Sequence, residues 1–253
     1  MDENSMSNML TQILVSLLAA HFLADFILQT DEDVKRKQSI LVFSKHIALV
    51  TLLSYLFVGS WHCFTIPLVI LVSHAVIDLL KKTIKKDSIT IFLIDQVAHY
   101  LVIIGLSIYM QNKLTQDVAN LFWYNTWGSV YAKTLIIIIA LILVTKFSSI
   151  IISYIIRPFQ TKIFKGESNN KDEIKTGRII GYLERIIILV LFLAELPAVV
   201  GFLITAKSIL RYAEIKNEKD KVMVEYVLIG TLLSFTIGIS IAFITTKVIL
   251  FIN

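Results

Sequence analysis

Long unbroken apolar runs dominate this chain, and they restrict it to a narrow range of folds. We place them at roughly 7–29, 42–60, 64–80, 88–110, 131–157, 179–205 and 224–250. At 1.5 Å per residue, about twenty apolar residues cross a hydrocarbon core of about 30 Å. Inside lipid every backbone N–H and C=O needs an internal partner, so only helices or closed barrels span it. These runs are continuous rather than alternating, which selects helices. The expected fold is all-α, a polytopic transmembrane bundle of about seven helices. Apolar residues make up 56% of the chain and charged residues 17%, as that fold requires. The first run, from about Met9, is read as a retained span: it follows the acidic Asp2 and Glu3 and has no small-residue cleavage site.

The turn around Ser60–Phe64 is very short, so the second and third spans should form an antiparallel hairpin. Residues 112–130 are polar and aromatic (Phe122, Trp123, Tyr124, Trp127), a composition that favours the membrane–water interface. The chain then divides into a four-helix core over 1–111, an interfacial connection over 112–130 and a three-helix extension over 131–253.

Lysine and arginine set orientation. Lys35, Arg36 and Lys37 follow the first span. Lys81, Lys82, Lys85 and Lys86 follow the third. Arg157, Lys162, Lys165, Lys171, Lys175 and Arg178 follow the fifth. By contrast, the 60–64 turn has no Lys or Arg, and 112–130 has only Lys113. The basic loops should be cytoplasmic and the N-terminus outside, in a multi-pass membrane protein. Residues 206–223 break the alternation with Lys207, Arg211, Lys216, Lys219 and Lys221, diluted by Glu214, Glu218 and Asp220. Either 179–205 spans and the rule fails there, or the chain turns back near Pro197 and Gly201. We expect a simple span.

Ionisable residues inside the first four spans are the second constraint. His21/Asp25, His74/Asp78 and Asp95/His99 are i, i+4 pairs, and His46 stands alone; four of the five histidines belong to this set. Intramembrane ionisable residues are costly and mark functional sites. Measured from the basic ends of the helices, all seven fall about 3–17 Å deep, in the cytoplasmic half. Each pair shares a helix face, and Gln29 extends the first by one turn. Imidazole and carboxylate are ligands for zinc, manganese or iron. The candidate metal ligands are therefore His21, Asp25, His46, His74, Asp78, Asp95 and His99. The set exceeds one tetrahedral ion. It suits a catalytic ion with an open position, or two ions sharing a carboxylate. Asp25 and Asp95 are the candidate catalytic carboxylates.

Other readings stand beside this one. His–Asp pairs can simply hydrogen-bond helices together in lipid, and Asp/His chains also relay protons or cations. Lys45 should snorkel to headgroups. His62, beside Trp61 and Cys63, is read as interfacial. A single cysteine excludes an internal disulfide and a cysteine-rich metal site. No phosphate-binding glycine loop or nucleophile elbow occurs. The net charge of +5 belongs to loops that meet anionic lipid headgroups, not nucleic acid.

In the second half, Gly177 and Gly181 make a G-x-x-x-G that permits close helix approach. Glu184, Arg185 and Glu195 are further polar candidates. Glu195, deep in an apolar run, should face protein, a cavity or a basic partner. Lys207, Ser208, Arg211 and Glu225 flank the loop before the last span; they form a substrate- or headgroup-facing polar lining or interfacial anchors, and Lys207 and Arg211 are read as anchors.

The stretches His21-Phe-Leu-Ala-Asp25-Phe-Ile-Leu-Gln29, Lys45-His46, His74-Ala-Val-Ile-Asp78 and Asp95-Gln96-Val-Ala-His99 resemble a bacterial membrane family catalogued as domain of unknown function 3307, over about residues 9–110. Gly177–Arg185, Ala206–Ser208 and Glu225-Tyr226 resemble the extension of its longer members. The family name implies no activity. A looser likeness to bacterial membrane-bound metal-dependent hydrolases implies hydrolysis, here of a lipid or lipid-linked substrate, with a divalent ion such as zinc. A proton- or cation-coupled transporter and a non-enzymatic structural protein are the alternatives.

Overall fold

The computed structural model describes residues 3–36, 39–84, 87–114, 121–163, 171–214 and 221–252. Several residues used above lie outside the described side chains. They are Asp2, Glu3, Lys35, Lys37, Lys85, Lys86, Lys113, Lys162, Lys165, Lys171, Lys175, Arg211, Glu214, Lys216, Glu218, Lys219, Asp220, Lys221 and Glu225.

The protein is all-helical among the described residues. The helices are α1 (Glu3–Phe22), α2 (Asp31–Lys35), α3 (Ile40–Val58), α4 (Thr65–Thr83), α5 (Ile89–Leu114), α6 (Phe122–Trp127), α7 (Ser129–Ile142), α8 (Ser148–Ile163), α9 (Lys171–Leu193), α10 (Ala198–Glu214) and α11 (Lys221–Phe251). π-helical turns at Leu23–Leu28 and Leu143–Phe147 continue α1 and join α7 to α8. Among the described residues, five helical stretches are long and apolar enough to cross a membrane: Asn8–Leu28, Ile40–Val58, Ile89–Asn112, Ser129–Pro158 and Leu228–Phe251. α4 is as long as α3, but Asp78, Lys81 and Lys82 make its last turns polar. The protein is thus a multi-pass membrane protein.

The chain forms two compact units, residues 1–142 with 251–253, and residues 143–250. In the first, α1, α3, α4 and α5 close a four-helix ring, each packing on the next, and α7 packs on α1. α1 is the central element, with 61% of its span buried against 22% for α3 and 28% for α5.

The helical period explains what faces the ring interior. Three of its helices bury a stripe repeating every four residues: Met9, Ile13, Leu17 and His21; His46, Val50, Ser54 and Val58; Ile66, Ile70, His74 and Asp78. α5 buries Asp95, His99, Ile103 and Ser107 at the same spacing. Each stripe is apolar toward one end of the ring and carries ligand-type residues toward the other. Met9, Ile13, Leu17, Val50, Ile66, Ile70 and Ile103 form the apolar core.

The aromatic connection caps α3. Gly59 ends that helix at φ 67°, and its N–H bonds to Tyr55 O. The Trp123 indole N–H donates to Leu56 O at 2.7 Å, and the Tyr131 hydroxyl donates to Phe57 O at 2.7 Å. The Phe122 N–H reaches Gly59 O at 3.0 Å. Three carbonyls that the helix leaves open are thereby satisfied. Trp123 stacks on Tyr131, while Trp61 packs against Tyr55 and Phe122. His62 is exposed in this turn, and the Cys63 thiol lies 3.9 Å from Met110 Sδ.

A Cβ at Gly59 would lie 2.6 Å from Trp123 Cδ1, in a backbone conformation that disfavours L side chains. Gly59→Ala should lower stability by about 1–3 kcal/mol, read as a lower thermal midpoint in detergent. An unchanged midpoint would mean that this cap is not rigid.

A smaller cap sits on the basic side of α1. Thr30 and Asp33 form a reciprocal capping box on α2. The Thr30 backbone N–H, with its hydroxyl, holds the Asp33 carboxyl below the usual carboxylate range.

The second unit corrects one expectation. Residues 179–205 are not one straight span: α9 stops at Leu193 and α10 starts at Ala198. The Leu196 N–H bonds to Leu191 O and the Glu195 N–H to Phe192 O, with Glu195 at φ 60°. This is a Schellman stop, and Pro197 follows it. Lys207 Nζ then meets Glu184 Oε1 at 2.5 Å. These residues sit equally far before and after the turn, so α9 and α10 fold back as a hairpin. α10 therefore runs back toward the end of the unit where α9 begins.

Two further expectations change with it. Glu195 does not face protein or a cavity; it is exposed at the turn. Gly177 and Gly181 do not bring another helix close among the described residues. Nothing lies within 4 Å of a Cβ at Gly177, and Gly181 meets only Arg185 of its own helix. The close approaches are at Gly238, where a Cβ would meet Arg185 Cγ at 3.0 Å, and at Gly230, where it would meet Ile156 Cδ1 at 3.0 Å.

Candidate metal centre

At the polar end of the ring interior the four helices bring all seven predicted residues together. α1 and its π turn supply His21 and Asp25, α3 supplies His46, α4 supplies His74 and Asp78, and α5 supplies Asp95 and His99. Six of the seven are less than a tenth exposed, and the Asp25 side chain is 12% exposed.

The tightest group is Asp25, His46 and His74. The two imidazoles point Nε2 at Nε2 across 3.1 Å. Asp25 Oδ1 lies 3.5 Å from His46 Nε2 and 3.7 Å from His74 Nε2. A point equidistant from these three atoms is about 2.0 Å from each, within the range of Zn–N and Zn–O bonds. The group has the size of a metal-ligand triangle.

A second group is Asp78, Asp95 and His99. His99 Nε2 lies 3.8 Å from Asp78 Oδ1 and 3.8 Å from Asp95 Oδ1. Asp78 Oδ2 lies 3.8 Å from His46 Nε2, so this carboxylate spans both groups. His21, His74 and His99 form a third group whose ligand atoms lie within 4.8 Å of one another. The His74 and His99 rings stack at 4.1 Å. These buried clusters can hold a metal ion.

The buried polar atoms call for a cation. Asp25 Oδ1, Asp95 Oδ1 and His99 Nε2 are buried and have no hydrogen-bond partner among the described residues. Leaving such atoms unsatisfied costs about 1–3 kcal/mol each. Formally, Asp25, Asp78 and Asp95 carry three negative charges, and Lys81 supplies one positive charge at 2.6 Å from Asp95 Oδ2. The excess equals the charge of one divalent ion, and buried charge must be paired.

Neighbouring polar groups orient the cluster. Lys81 and Gln96 Nε2 (3.3 Å) both hold Asp95 Oδ2, which turns Oδ1 to His99. His21 Nε2 faces Gln96 Oε1 at 3.4 Å, Tyr100 donates to the same oxygen at 3.2 Å, and His21 Nδ1 faces Asp25 at 3.8 Å. Such outer contacts fix ligand orientation in metal sites. Lys81 had been assigned to the headgroup loop. Its spacing was the available signal: it follows Asp78 by three residues and His74 by seven, on the same face. Gln29 is half-buried just past the π turn, outside the ligand groups, and Lys45 is exposed. The π turn itself, closed by the Gln29 N–H to Ala24 O at 3.0 Å, has no signature in the sequence. Such turns recur at functional sites.

A small cavity, about 10 Å³, adjoins the imidazoles on their apolar side. His21, His74, His99, Ser54 and Ser73 line it with aliphatic side chains. That volume suffices for about one water molecule.

In the second unit, Glu184 pairs with Lys207, whereas Arg185 is buried. Arg185 Nε donates to Val144 O and Nη1 to Ser234 Oγ, each at 2.5 Å. Arg185 thus ties α9 to the second π turn and to α11.

The fold and the cluster together define a class: a multi-pass helical membrane protein with a buried His/Asp centre in a four-helix ring. Residues 13–127 match the model of the family described as Protein of unknown function (DUF3307), and over this stretch the chain is similar to that family. The match includes all seven residues of the buried His/Asp cluster and Trp123 of the aromatic cap on α3. No curated protein and no solved structure matches the chain significantly.

Proposed function

We propose that the protein is a metal-dependent hydrolase of the bacterial cytoplasmic membrane. It binds a divalent ion, zinc or a similar metal, through Asp25, His46 and His74. It acts on a lipid or lipid-linked ester near the cytoplasmic headgroups. The observation that carries this reading is the triangle of 3.1, 3.5 and 3.7 Å edges between buried ligand atoms. Asp25 Oδ1, which is buried without a hydrogen bond, faces both imidazole Nε2 atoms, a placement that suits a shared cation. A bound divalent ion supplies Lewis acidity and an activated water. Three protein ligands leave a position open for it. Asp95 Oδ1, buried without a hydrogen bond, would be the carboxylate oxygen free to accept a proton during hydrolysis. Lys81, a third exposed at the rim, provides a cation where an anionic headgroup would enter.

Elemental analysis of the detergent-purified chain tests the first step. We expect at least one transition-metal equivalent per chain, removed by chelator. Metal-free protein that cannot be reloaded would overturn the reading.

Proton or cation transport is the second reading. The cavity lined by Ser54 and Ser73, with Gln12, Ser16 and Ser107 buried in the same unit, favours it by placing polar atoms beyond the cluster. Ion flux in proteoliposomes, lost in Asp25→Asn, is its expected signature.

A further inference from the structure

We infer that the centre holds two divalent ions, with the Asp78 carboxylate bridging them and a phosphoric ester as its preferred substrate. This rests on the metal reading above. The first ion is the one between Asp25, His46 and His74. The second lies between Asp78, Asp95 and His99.

Three observations lead there. First, two of the three ligand groups, Asp25 with His46 and His74 and Asp78 with Asp95 and His99, share no residue. His99 Nε2 reaches Asp78 Oδ1 and Asp95 Oδ1 at 3.8 Å each, whereas the first triad closes on itself at 3.1–3.7 Å. Secondly, Asp78 presents Oδ2 to His46 and Oδ1 to His99, each at 3.8 Å. A carboxylate with one oxygen toward each of two ligand sets is the arrangement that bridges ions about 3.5–4 Å apart. Thirdly, after the first ion is placed, Asp95 Oδ1 and His99 Nε2 remain buried with no hydrogen bond. Asp95 cannot turn away, because Lys81 and Gln96 hold its other oxygen.

Charge then selects the substrate. One divalent ion neutralises three carboxylates and Lys81, so a second leaves two positive charges in a buried site. Anions must balance them: a hydroxide and an anionic substrate group. Two-metal centres stabilise the attacking and leaving oxygens of phosphoryl transfer. In the hydrolysis, the oxygen of water forms a bond to phosphorus. The phosphorus–oxygen bond to the lipid alcohol breaks, and that alcohol leaves with a proton. On this reading Asp95 is a ligand rather than the proton acceptor.

The full-length chain, stripped with chelator and reloaded with Mn(II), separates the possibilities. We expect two Mn(II) per chain and an exchange-coupled electron paramagnetic resonance spectrum that inorganic phosphate perturbs. We expect Asp95→Asn to fall to one Mn(II) with an isolated-ion spectrum. One Mn(II) in the wild type, unchanged in Asp95→Asn, would overturn the two-ion inference and leave the single-ion reading standing. No bound Mn(II), zinc or iron would overturn both. Two coupled ions with a spectrum indifferent to phosphate would overturn the substrate assignment.

Discussion

His74→Ala is expected to empty the site between Asp25, His46 and His74. His74 belongs to two of the three ligand groups. Its Nε2 closes the triangle with His46 and Asp25, and its ring stacks on His99. Truncation leaves Asp25 and His46 as a two-ligand remnant. Loss of an outer-shell partner in a metal site typically lowers affinity about 10–100-fold. Loss of a direct ligand should exceed that range, so the purified variant should lack the ion between Asp25, His46 and His74, and its metal content should fall by one equivalent. Wild-type thermal stability should also drop on chelation, because ligand binding to the folded state adds to stability. His74→Ala should then lie closer to the chelated than to the metal-loaded wild type. If the histidine only joins helices, the variant loses stability while chelation leaves the wild type unmoved. Equal metal in both proteins would remove His74 from the ligand set. His62→Ala, at the exposed turn, is the matched control and should retain the full complement.

The site was legible because its signal is local and periodic. A ligand repeated after four residues in an apolar run says which face turns inward, and α1, α3, α4 and α5 each carry such a stripe. What brought the stripes to one level was the alternation of chain direction, which the basic loops disclosed. Lys81 was missed because lysines at span ends usually belong to headgroups. Here the same residue reaches inward to Asp95 at 2.6 Å. The hairpin in the second unit was obscured for a different reason. A helix stop normally announces itself with glycine at the left-handed position, and this chain uses Glu195 there. Hydropathy runs smoothly across 191–205, so the composition reads as a span. The deciding contacts, the backbone bonds of Glu195 and Leu196 and the Lys207–Glu184 pair, depend on geometry that no single-residue property carries. The π turns at Leu23–Leu28 and Leu143–Phe147 escaped for the same reason.

The second turn carries the other large effect. Arg185→Met should unfold or strongly destabilise the 143–250 unit while leaving the metal content intact. Arg185 is only 3% exposed, and its guanidinium holds Val144 O and Ser234 Oγ at once. A π turn widens the helix and leaves carbonyl groups that the regular i→i−4 ladder does not serve. With the guanidinium gone, Val144 O and Ser234 Oγ lose their donors in a buried, water-poor setting, at about 1–3 kcal/mol each. Methionine preserves most of the stem, so packing against Gly238, whose absent side chain admits Arg185 Cγ, is retained and the lost term is mainly polar. Lysine should not rescue. Its ammonium is a single point donor on a flexible chain and cannot reproduce a planar fork aimed at two acceptors. Limited proteolysis reads the outcome: cleavage should rise within 143–250 in Arg185→Met and Arg185→Lys, whereas 1–142 stays protected. Every ligand of the centre lies in residues 21–99, so both variants should bind as much metal as the wild type. Loss of metal in Arg185→Met would show that the centre depends on the second unit. Wild-type resistance to proteolysis would show that the Val144 carbonyl is satisfied without Arg185.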